Sequence, residues 1–257
     1  MTTTDTTVDN LIINTMTAQQ YSQITPSTTE LYMVIDDTEI PAGTVIEGKF
    51  SDLPTFFAGL EGKYCNGTLT YKITQDETIT GGFNEIVLTN TNIPEIIIDG
   101  NEKTISYTAN ANFIPLIRLT LPNITAVLQN ITIQLTNPSS YTASLVSFRG
   151  AVAGSESNKI FGVIRDCTFK EASDFAIGAL GGSILSIGNI EVSTTNKNGM
   201  AVAAFGTSRI SIRGSVINNC TRACSSTEGG IIQAFNLTLS NNTSNYYTAT
   251  GGQIFHN

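Results

Sequence analysis

The second half of the chain repeats one short pattern of apolar and polar positions at nearly constant spacing. In each copy an apolar residue is followed, after one position, by Asn, Asp or Gly, and then by alternating inward and outward positions. The copies are 128–133, 164–169, 187–192, 212–217 and 234–239, and the last four start 187−164 = 23, 212−187 = 25 and 234−212 = 22 residues apart. Such a period is typical of a solenoid. The alternation predicts β-strands with one buried face, since no segment carries the i, i+3, i+4, i+7 stripe of a helix.

The third position of each copy predicts a sharp corner of the coil. This position is occupied by Asn130, Asp166, Asn189, Gly214 and Asn236. Asn, Asp and Gly are the residue types that adopt a positive φ most cheaply, so we expect the chain to bend there through the left-handed region. The earlier segment 96–101, Ile-Ile-Ile-Asp-Gly-Asn, has the same composition. The coil is therefore predicted to begin before residue 100.

These repeats resemble the right-handed parallel β-helix of the pectate-lyase-like superfamily, whose stacked turns often carry Asn at one corner. The resemblance implies an all-β fold in which a right-handed parallel β-helix, a β-solenoid, fills about two thirds of the chain. The alternative is an antiparallel two-sheet sandwich with regularly spaced turns. The resemblance by itself implies no particular activity.

Composition and charge exclude several classes of partner. The chain has 257 residues, of which 13% are charged, and its formal net charge is −8. The 13 Lys and Arg residues are scattered singly, whereas binding of nucleic acid needs clustered basic residues. No window approaches 18 uninterrupted apolar residues, so we expect no membrane insertion. The Thr- and Asp-rich first residues lack the basic and apolar parts of a secretory signal.

The four cysteines fit no metal site. Cys220 and Cys224 have the spacing of one half of a zinc site, but no second Cys or His pair completes it, and the chain has a single histidine, His256. We therefore expect no metal and no cofactor. Cys167 falls on an inward position and is predicted to be a small core residue. A disulfide between Cys220 and Cys224 would require an oxidising compartment.

Residues 10–37 predict a small strand–helix–strand unit. A short apolar strand is followed by Thr17 as a helix N-cap, the helix ends at Pro26, and a second strand begins at Leu31. A unit of this size cannot bury a large core by itself, which favours a docking element that a partner completes. The residues predicted to make this contact are Tyr21, Ile24, Pro26, Leu31, Tyr32 and Val34.

The same segment resembles a motif near the start of structural proteins of tailed bacteriophages. That motif reads N-L-I-I-N-x-M-T-x-x-Q-Y-x-x-L-T-P and then E-L-Y-x-V-x-D, and this chain matches it from Asn10 to Asp36 with Ile24 in place of Leu. The resemblance implies attachment to a virion through other virion proteins. The alternative is an ordinary β-α-β module, because short motifs also match by chance.

Together the two resemblances predict three parts. Residues 1–50 form a mixed α/β virion-attachment module, 51–66 a linker and β-helix cap, and 67–257 the parallel β-helix. We expect the Phe56-Phe57 pair to cover the open first turn of the coil, since solenoids need capped ends. The arrangement resembles a head or tail fibre or spike subunit, which implies a homotrimer, assembly in the cytoplasm of the host bacterium, location in the virion and host attachment.

The distribution of acidic residues argues against catalysis within one chain. Polysaccharide hydrolysis needs two carboxylates facing one groove, but Glu191 aligns with Thr168, Val216 and Thr238 in the neighbouring repeats. The charged residues between 166 and 174 are predicted to form a solvated rim. We therefore predict a structural virion protein with no catalytic residue. The first alternative is a polysaccharide-degrading β-helix depolymerase, a lyase or a glycoside hydrolase, and a catalytic site built between chains would escape this argument. The second is a secreted adhesin, which would require a signal sequence.

Overall fold

The computed structural model describes residues 13–17, 31–35, 39–83, 85–88, 91–150, 160–195 and 198–257, the first two ranges as backbone only. The chain divides into two compact units, Met1–Ile40 and Pro41–Asn257. In the first unit β1 pairs in parallel with β2, so that Ile13 lies beside Leu31 and Met16 beside Val34. The helix predicted after Thr17 lies outside the described residues. The domain limits proposed from the sequence stay a prediction.

The described part of the chain is almost entirely β. In chain order the strands are β1 (Ile13–Thr17), β2 (Leu31–Ile35), β3 (Val45–Gly48), β4 (Thr68–Ile73), β5 (Glu77–Thr80), β6 (Ile86–Val87), β7 (Glu95–Thr108), β8 (Ile117–Thr120), β9 (Thr125–Leu135), β10 (Val146–Arg149), β11 (Phe161–Arg165), β12 (Thr168–Lys170), β13 (Phe175–Leu180), β14 (Ile184–Gly188), β15 (Glu191–Ser193), β16 (Met200–Phe205), β17 (Arg209–Arg213), β18 (Val216–Asn218), β19 (Arg222–Thr227), β20 (Ile231–Phe235), β21 (Thr238–Ser240), β22 (Ser244–Thr248) and β23 (Gln253–His256). A 3₁₀ turn, Phe50–Asp52, leads into one helix, α1 (Leu53–Ala58).

The second unit is a parallel β-solenoid of about eight turns, called rungs below. Each complete rung contributes one strand to each of three sheets. The first sheet runs β3, β4, β7, β9, β11, β14, β17, β20, β23; the second runs β5, β7, β9, β12, β15, β18, β21; the third runs β6, β8, β10, β13, β16, β19, β22. The long strands β7 and β9 pass through both the first and the second sheet. Every strand pair among the described residues is parallel, which excludes the antiparallel sandwich.

The sequence repeat is the stacking register of the first sheet. Leu128 lies beside Ile164, which lies beside Ile187, and the column continues through Ile212 to Ala234. All five side chains are buried. The prediction that equivalent residues stack is confirmed, and so is the early start of the coil, because parallel pairing begins with Val45 and Thr70.

The predicted corners are also confirmed. The residues at the third position have φ between 52° and 58°: Asn130, Asp166, Asn189, Gly214 and Asn236. The earlier corner in β7 is built differently, since the positive φ values there fall on Asn101 and Glu102 rather than on Gly100. Gly100 is needed for space, because a Cβ at that position would collide with Ile131 of the next rung. Extra residues between Asp99 and Lys103 account for the difference, since they shift the pairing with β9.

The first rung contains helical structure where later rungs have their second and third strands. The chain leaves β3, forms the 3₁₀ turn and α1, and returns to the first sheet at β4. Phe57 is 1% exposed, whereas Phe56 is half-buried against Phe57 and Tyr71. Phe50 stacks on Phe83 with ring centroids 5.7 Å apart. The helical segment therefore packs over β5 and β6, an inference that its contacts with both strands support.

The cysteines are free thiols in the interior. Cys65, Cys167, Cys220 and Cys224 are all buried and unpaired by disulfides, and Cys167 is a core residue as the sequence predicts. Burial raises the pKa of Cys167, Cys220 and Cys224 to about 12. At neutral pH these groups are therefore thiols rather than reactive thiolates. Among the described residues no helix is long and apolar enough to cross a membrane.

We predict that Asn189→Val lowers the free energy of unfolding by about 1–2 kcal/mol, because a β-branched residue is costly at a positive φ. Asn189→Gly is the matched control, since it loses the same side-chain bond to Asp166 but tolerates φ of 54°. It should stay within about 0.5 kcal/mol of the parent chain. Denaturant unfolding measures both values. Equal losses in the two variants would contradict the corner argument.

Candidate binding groove

An open groove runs along the corner at which the second sheet gives way to the third. Its volume is about 530 Å³, and it is lined by Asn112, Pro138, Ser139, Ser140, Tyr141, Thr142, Ser173, Asn198, Gly199 and Thr221. Each of these residues lies in a connection between the two sheets, and the connections belong to five successive rungs. Because parallel strands lie about 4.8 Å apart, five rungs extend the groove over about 19 Å.

The segment 138–142 forms one side of the groove and is held from both neighbouring rungs. On one side the amide of Thr142 donates to Oδ1 of Asn112 at 2.8 Å. On the other side Oγ of Ser173 donates to the carbonyl of Tyr141 at 2.6 Å and accepts from the amide of Ala143 at 2.8 Å. These bonds fix the loop before any ligand arrives, which lowers the ordering cost of binding.

Gly199 keeps the chain close to the preceding rung. Its φ is +63°, and a Cβ there would collide with the carbonyl of Ala172. The carbonyl of Gly199 in turn accepts a bond from the amide of Thr221 at 2.9 Å. This position therefore requires glycine for both its conformation and its space.

An exposed aromatic residue flanks the groove in an unusual conformation. Phe113 follows the lining residue Asn112, is 69% exposed and has φ of +63°. Its amide donates to the carbonyl of Thr142 at 2.6 Å, which ties it to the groove segment. A bulky residue rarely adopts this region, and such strain is concentrated at functional sites. The half-exposed ring of Tyr141 supplies a second aromatic surface within the lining.

The chemistry of the groove suits an uncharged ligand rich in hydroxyl groups. The described lining contains hydroxyl and amide side chains and no Asp, Glu, Lys or Arg. Hydroxyls both donate and accept, and amides do so through separate atoms, so they match sugar hydroxyls in either role. Aromatic rings can pack against the apolar C–H face of a sugar, as they pack against other apolar groups.

One carboxylate lies at the edge of the groove. Asp174 follows the lining residue Ser173, and its Oδ2 accepts a bond from Oγ of Ser144 at 2.9 Å. Burial raises the pKa of Asp174, while the Ser144 bond acts in the opposite direction. No group of three or more His, Cys, Asp or Glu residues that could hold a metal ion occurs in the described parts of the chain.

The other acidic residues singled out from the sequence between 166 and 191 lie beside or bond to uncharged residues. Glu191 is exposed and lies between Thr168 and Val216, as the repeat predicts. Glu171 accepts from the amide and the hydroxyl of Thr195 in the next rung. Asp166 and Lys170 are exposed, whereas Asp174 is half-buried, so the predicted rim is not uniformly solvated.

The predicted docking residues belong to the first unit. Tyr21, Ile24 and Pro26 lie outside the described residues, while Leu31, Tyr32 and Val34 lie on β2. Their role stays a prediction. The groove was not found from the sequence, because its residues occur in connections of unequal length that become neighbours only when the rungs are stacked. The available signal was the Pro-Ser-Ser-Tyr-Thr run at 138–142.

No family model, no curated protein and no solved structure matches this chain.

We predict that Phe113→Gly raises the free energy of unfolding relative to Phe113→Ala by about 1 kcal/mol, because glycine relieves the positive φ and alanine does not. The two variants lose nearly the same exposed ring, so their difference reports the backbone conformation. Denaturant unfolding of both variants gives the comparison. A less stable glycine variant would show that Phe113 is not strained.

Proposed function

We propose that this chain is a structural subunit of a tailed-bacteriophage appendage, a head or tail fibre or spike, which adheres to the surface of the host bacterium. The observation that carries the proposal is the parallel solenoid with a preorganised, uncharged groove across five of its rungs. A solenoid of this kind offers a long, rigid and mostly uncharged surface. That property suits a projecting virion part.

Attachment to the particle is assigned to the first unit. The phage-like motif covers β1 and β2, which form a compact unit of their own. A two-stranded pair is marginal in isolation, and docking on another virion protein would supply the missing packing. Tyr21, Ile24, Pro26, Leu31, Tyr32 and Val34 are the proposed contact residues. Homotrimer formation and location in the virion are parts of the same proposal.

Adhesion is assigned to the groove. Its ligand would be an uncharged stretch of a host surface glycan, with Tyr141 and Phe113 packing against sugar rings and Asn112 and Asn198 bonding to hydroxyls. The absence of charge from the described lining favours neutral sugars over phosphorylated or acidic ones. Repeated sugar units match repeated rungs, so several weak contacts can act together.

A polysaccharide-degrading enzyme is the second candidate, and Asp174 is the observation that favours it. A carboxyl group with a raised pKa beside a sugar-sized groove is a candidate general acid. Hydrolysis also needs a second carboxylate at a defined distance, and among the described residues the lining supplies none. We therefore favour glycan binding over glycan hydrolysis as the function of the groove.

Immunogold electron microscopy of particles tests the virion location. Gold-tagged antibody against the solenoid should mark each particle, and label on the capsid or at the tail decides between head fibre and tail fibre. Particles grown with a chain lacking residues 1–40 should carry no label, because the attachment unit is missing. Label at normal copy number on those particles would contradict the docking role, and absence of label from all particles would contradict the virion role.

Binding to purified capsular and O-antigen polysaccharides of the host strain tests the groove. We expect Tyr141→Ala to weaken binding about tenfold, since an aromatic contact contributes about 1 kcal/mol or more. Val216→Ala, an exposed apolar residue on the second sheet, is the control and should leave affinity unchanged. Release of new reducing ends, lost in Asp174→Asn, would favour the enzyme instead.

A further inference from the structure

The outward face of the first sheet carries several apolar residues near its centre. In its strands the inward side chains, such as Ile98 and Ile164, are fully buried, so the residues between them point outward. Four partly exposed apolar residues, Ile97, Phe161, Val163 and Ile184, lie there among polar and charged ones such as Thr125, Gln129 and Arg165, whereas Val127 is buried. Phe161 is 43% exposed. We call this outward surface of β3, β4, β7, β9, β11, β14, β17, β20 and β23 the first-sheet face.

Opposite charges lie at equal distances on the two sides of this centre. Glu95 and Asp99 lie on β7, and Arg209 and Arg213 lie on β17. Both strands are two positions from β11 in the order of the sheet. The register also places Glu95 and Arg209 in one column, which passes through Phe161. Asp99 and Arg213 share a second column, which passes through Arg165.

None of these four charges is neutralised by an ion pair within the described residues, where the ion pairs are Lys72 with Glu47 and Arg149 with Glu85. Glu95 accepts a bond from the hydroxyl of Thr68 at 2.9 Å. The Arg213 guanidinium lies 5.3 Å from the centre of the Phe235 ring. The face is thus acidic along β7 and basic along β17, with Phe161, Val163 and Arg165 on the strand midway between them.

We propose that two copies of this chain pack through their first-sheet faces with antiparallel solenoid axes, about a two-fold axis that runs parallel to the strands over β11. This rotation keeps each position along a strand and inverts the order of the strands. It therefore sets Glu95 opposite Arg209 of the second copy and Asp99 opposite Arg213 of the second copy. By symmetry each of these pairs forms twice.

The other face-to-face two-fold runs along the solenoid axis and keeps the two solenoids parallel. It exchanges the two columns on each strand, so Glu95 would face Asp99 and Arg209 would face Arg213 of the second copy. Like charges placed together oppose association. The charge pattern therefore selects the antiparallel pair, and a parallel trimer would have to use another face.

The size of the face fits a reversible dimer. Nine strands span about 38 Å across the sheet, and five residues span about 16 Å along each strand. The contact is then about 600 Å² on each copy, or about 1,200 Å² in total, at the lower limit of specific interfaces. One like pair, Arg165 with itself, lies at the axis, but its guanidinium is turned onto Oε1 of Gln129 at 2.6–2.9 Å.

A charge swap in the full-length protein tests the pairing by sedimentation velocity. The parent chain should dimerise as concentration rises, and Glu95→Arg and Arg209→Glu should each weaken dimerisation at least tenfold, since each creates two like pairs. An equimolar mixture should restore dimers, because both inter-copy pairs are then complementary. Asp99 is left unchanged because it also holds the amide of Asn101 at the corner. Glu191→Arg, on the second sheet, is the matched control and should not alter dimerisation.

A second measurement fixes the axis. Val163 lies at the middle of β11, so it should lie opposite Val163 of the second copy. A short bismaleimide should therefore crosslink the Val163→Cys variant into covalent dimers. Ser193→Cys, on the second sheet, should not be crosslinked. The native thiols are buried and should not react. The proposal is overturned if the parent chain stays monomeric up to roughly 100 μM or if the single charge variants have no effect. It is also overturned if the equimolar mixture does not re-associate, or if the two cysteine variants crosslink equally. The antiparallel dimer is an alternative to the homotrimer of the proposed function, so its confirmation would count against that trimer but not against the role of the groove.

Discussion

Main-chain hydrogen bonds between successive rungs are the interaction on which this structure depends. A strand such as β12, three residues long, has no partner within its own rung and pairs with β9 on one side and β15 on the other. Each rung is therefore ordered by its neighbours, and stability is shared along the stack. Because of this dependence, the strands and corners of successive rungs must follow the same course through the three sheets. This requirement explains why the corner residues are restricted to Asn, Asp and Gly, since a corner of another shape would displace every strand after it.

The connections from the second to the third sheet differ in length from rung to rung. They span residues 109–116 and 136–145 in two early rungs but only 171–174 and 219–221 later. The groove is lined by these connections of unequal length. Bonds from Thr142 to Asn112 and from Ser173 to Tyr141 join adjacent rungs. Loops that are free to vary in sequence therefore still obtain a fixed shape. The sequence of these connections can therefore change without loss of the core.

The sequence predicted what is periodic and missed what depends on three-dimensional neighbours. The columns through Leu128 and Ile187 and the corners at Asn130 and Asn189 follow from local patterns that repeat, so a single chain is enough to identify them. The composition of the segment 96–101 identified an earlier turn of the coil, but the two extra residues at its corner become visible only in the pairing of β7 with β9. The groove and the charge pattern of the first-sheet face could not be read without the rung register, which aligns residues 20 to 30 positions apart.

The helical segment of the first rung has a consequence for the behaviour of many copies together. An uncovered end of a β-solenoid exposes main-chain donors and acceptors to which strands of other molecules can add, and repeated addition leads to open-ended fibrils. Here α1 and its preceding turn cover β5 and β6, and the side chain of Ser51 is fastened to Glu77 at 2.7 Å. Templated growth at this end is thereby restricted to β3. Such a cover opposes amyloid-like polymerisation when many copies are present together.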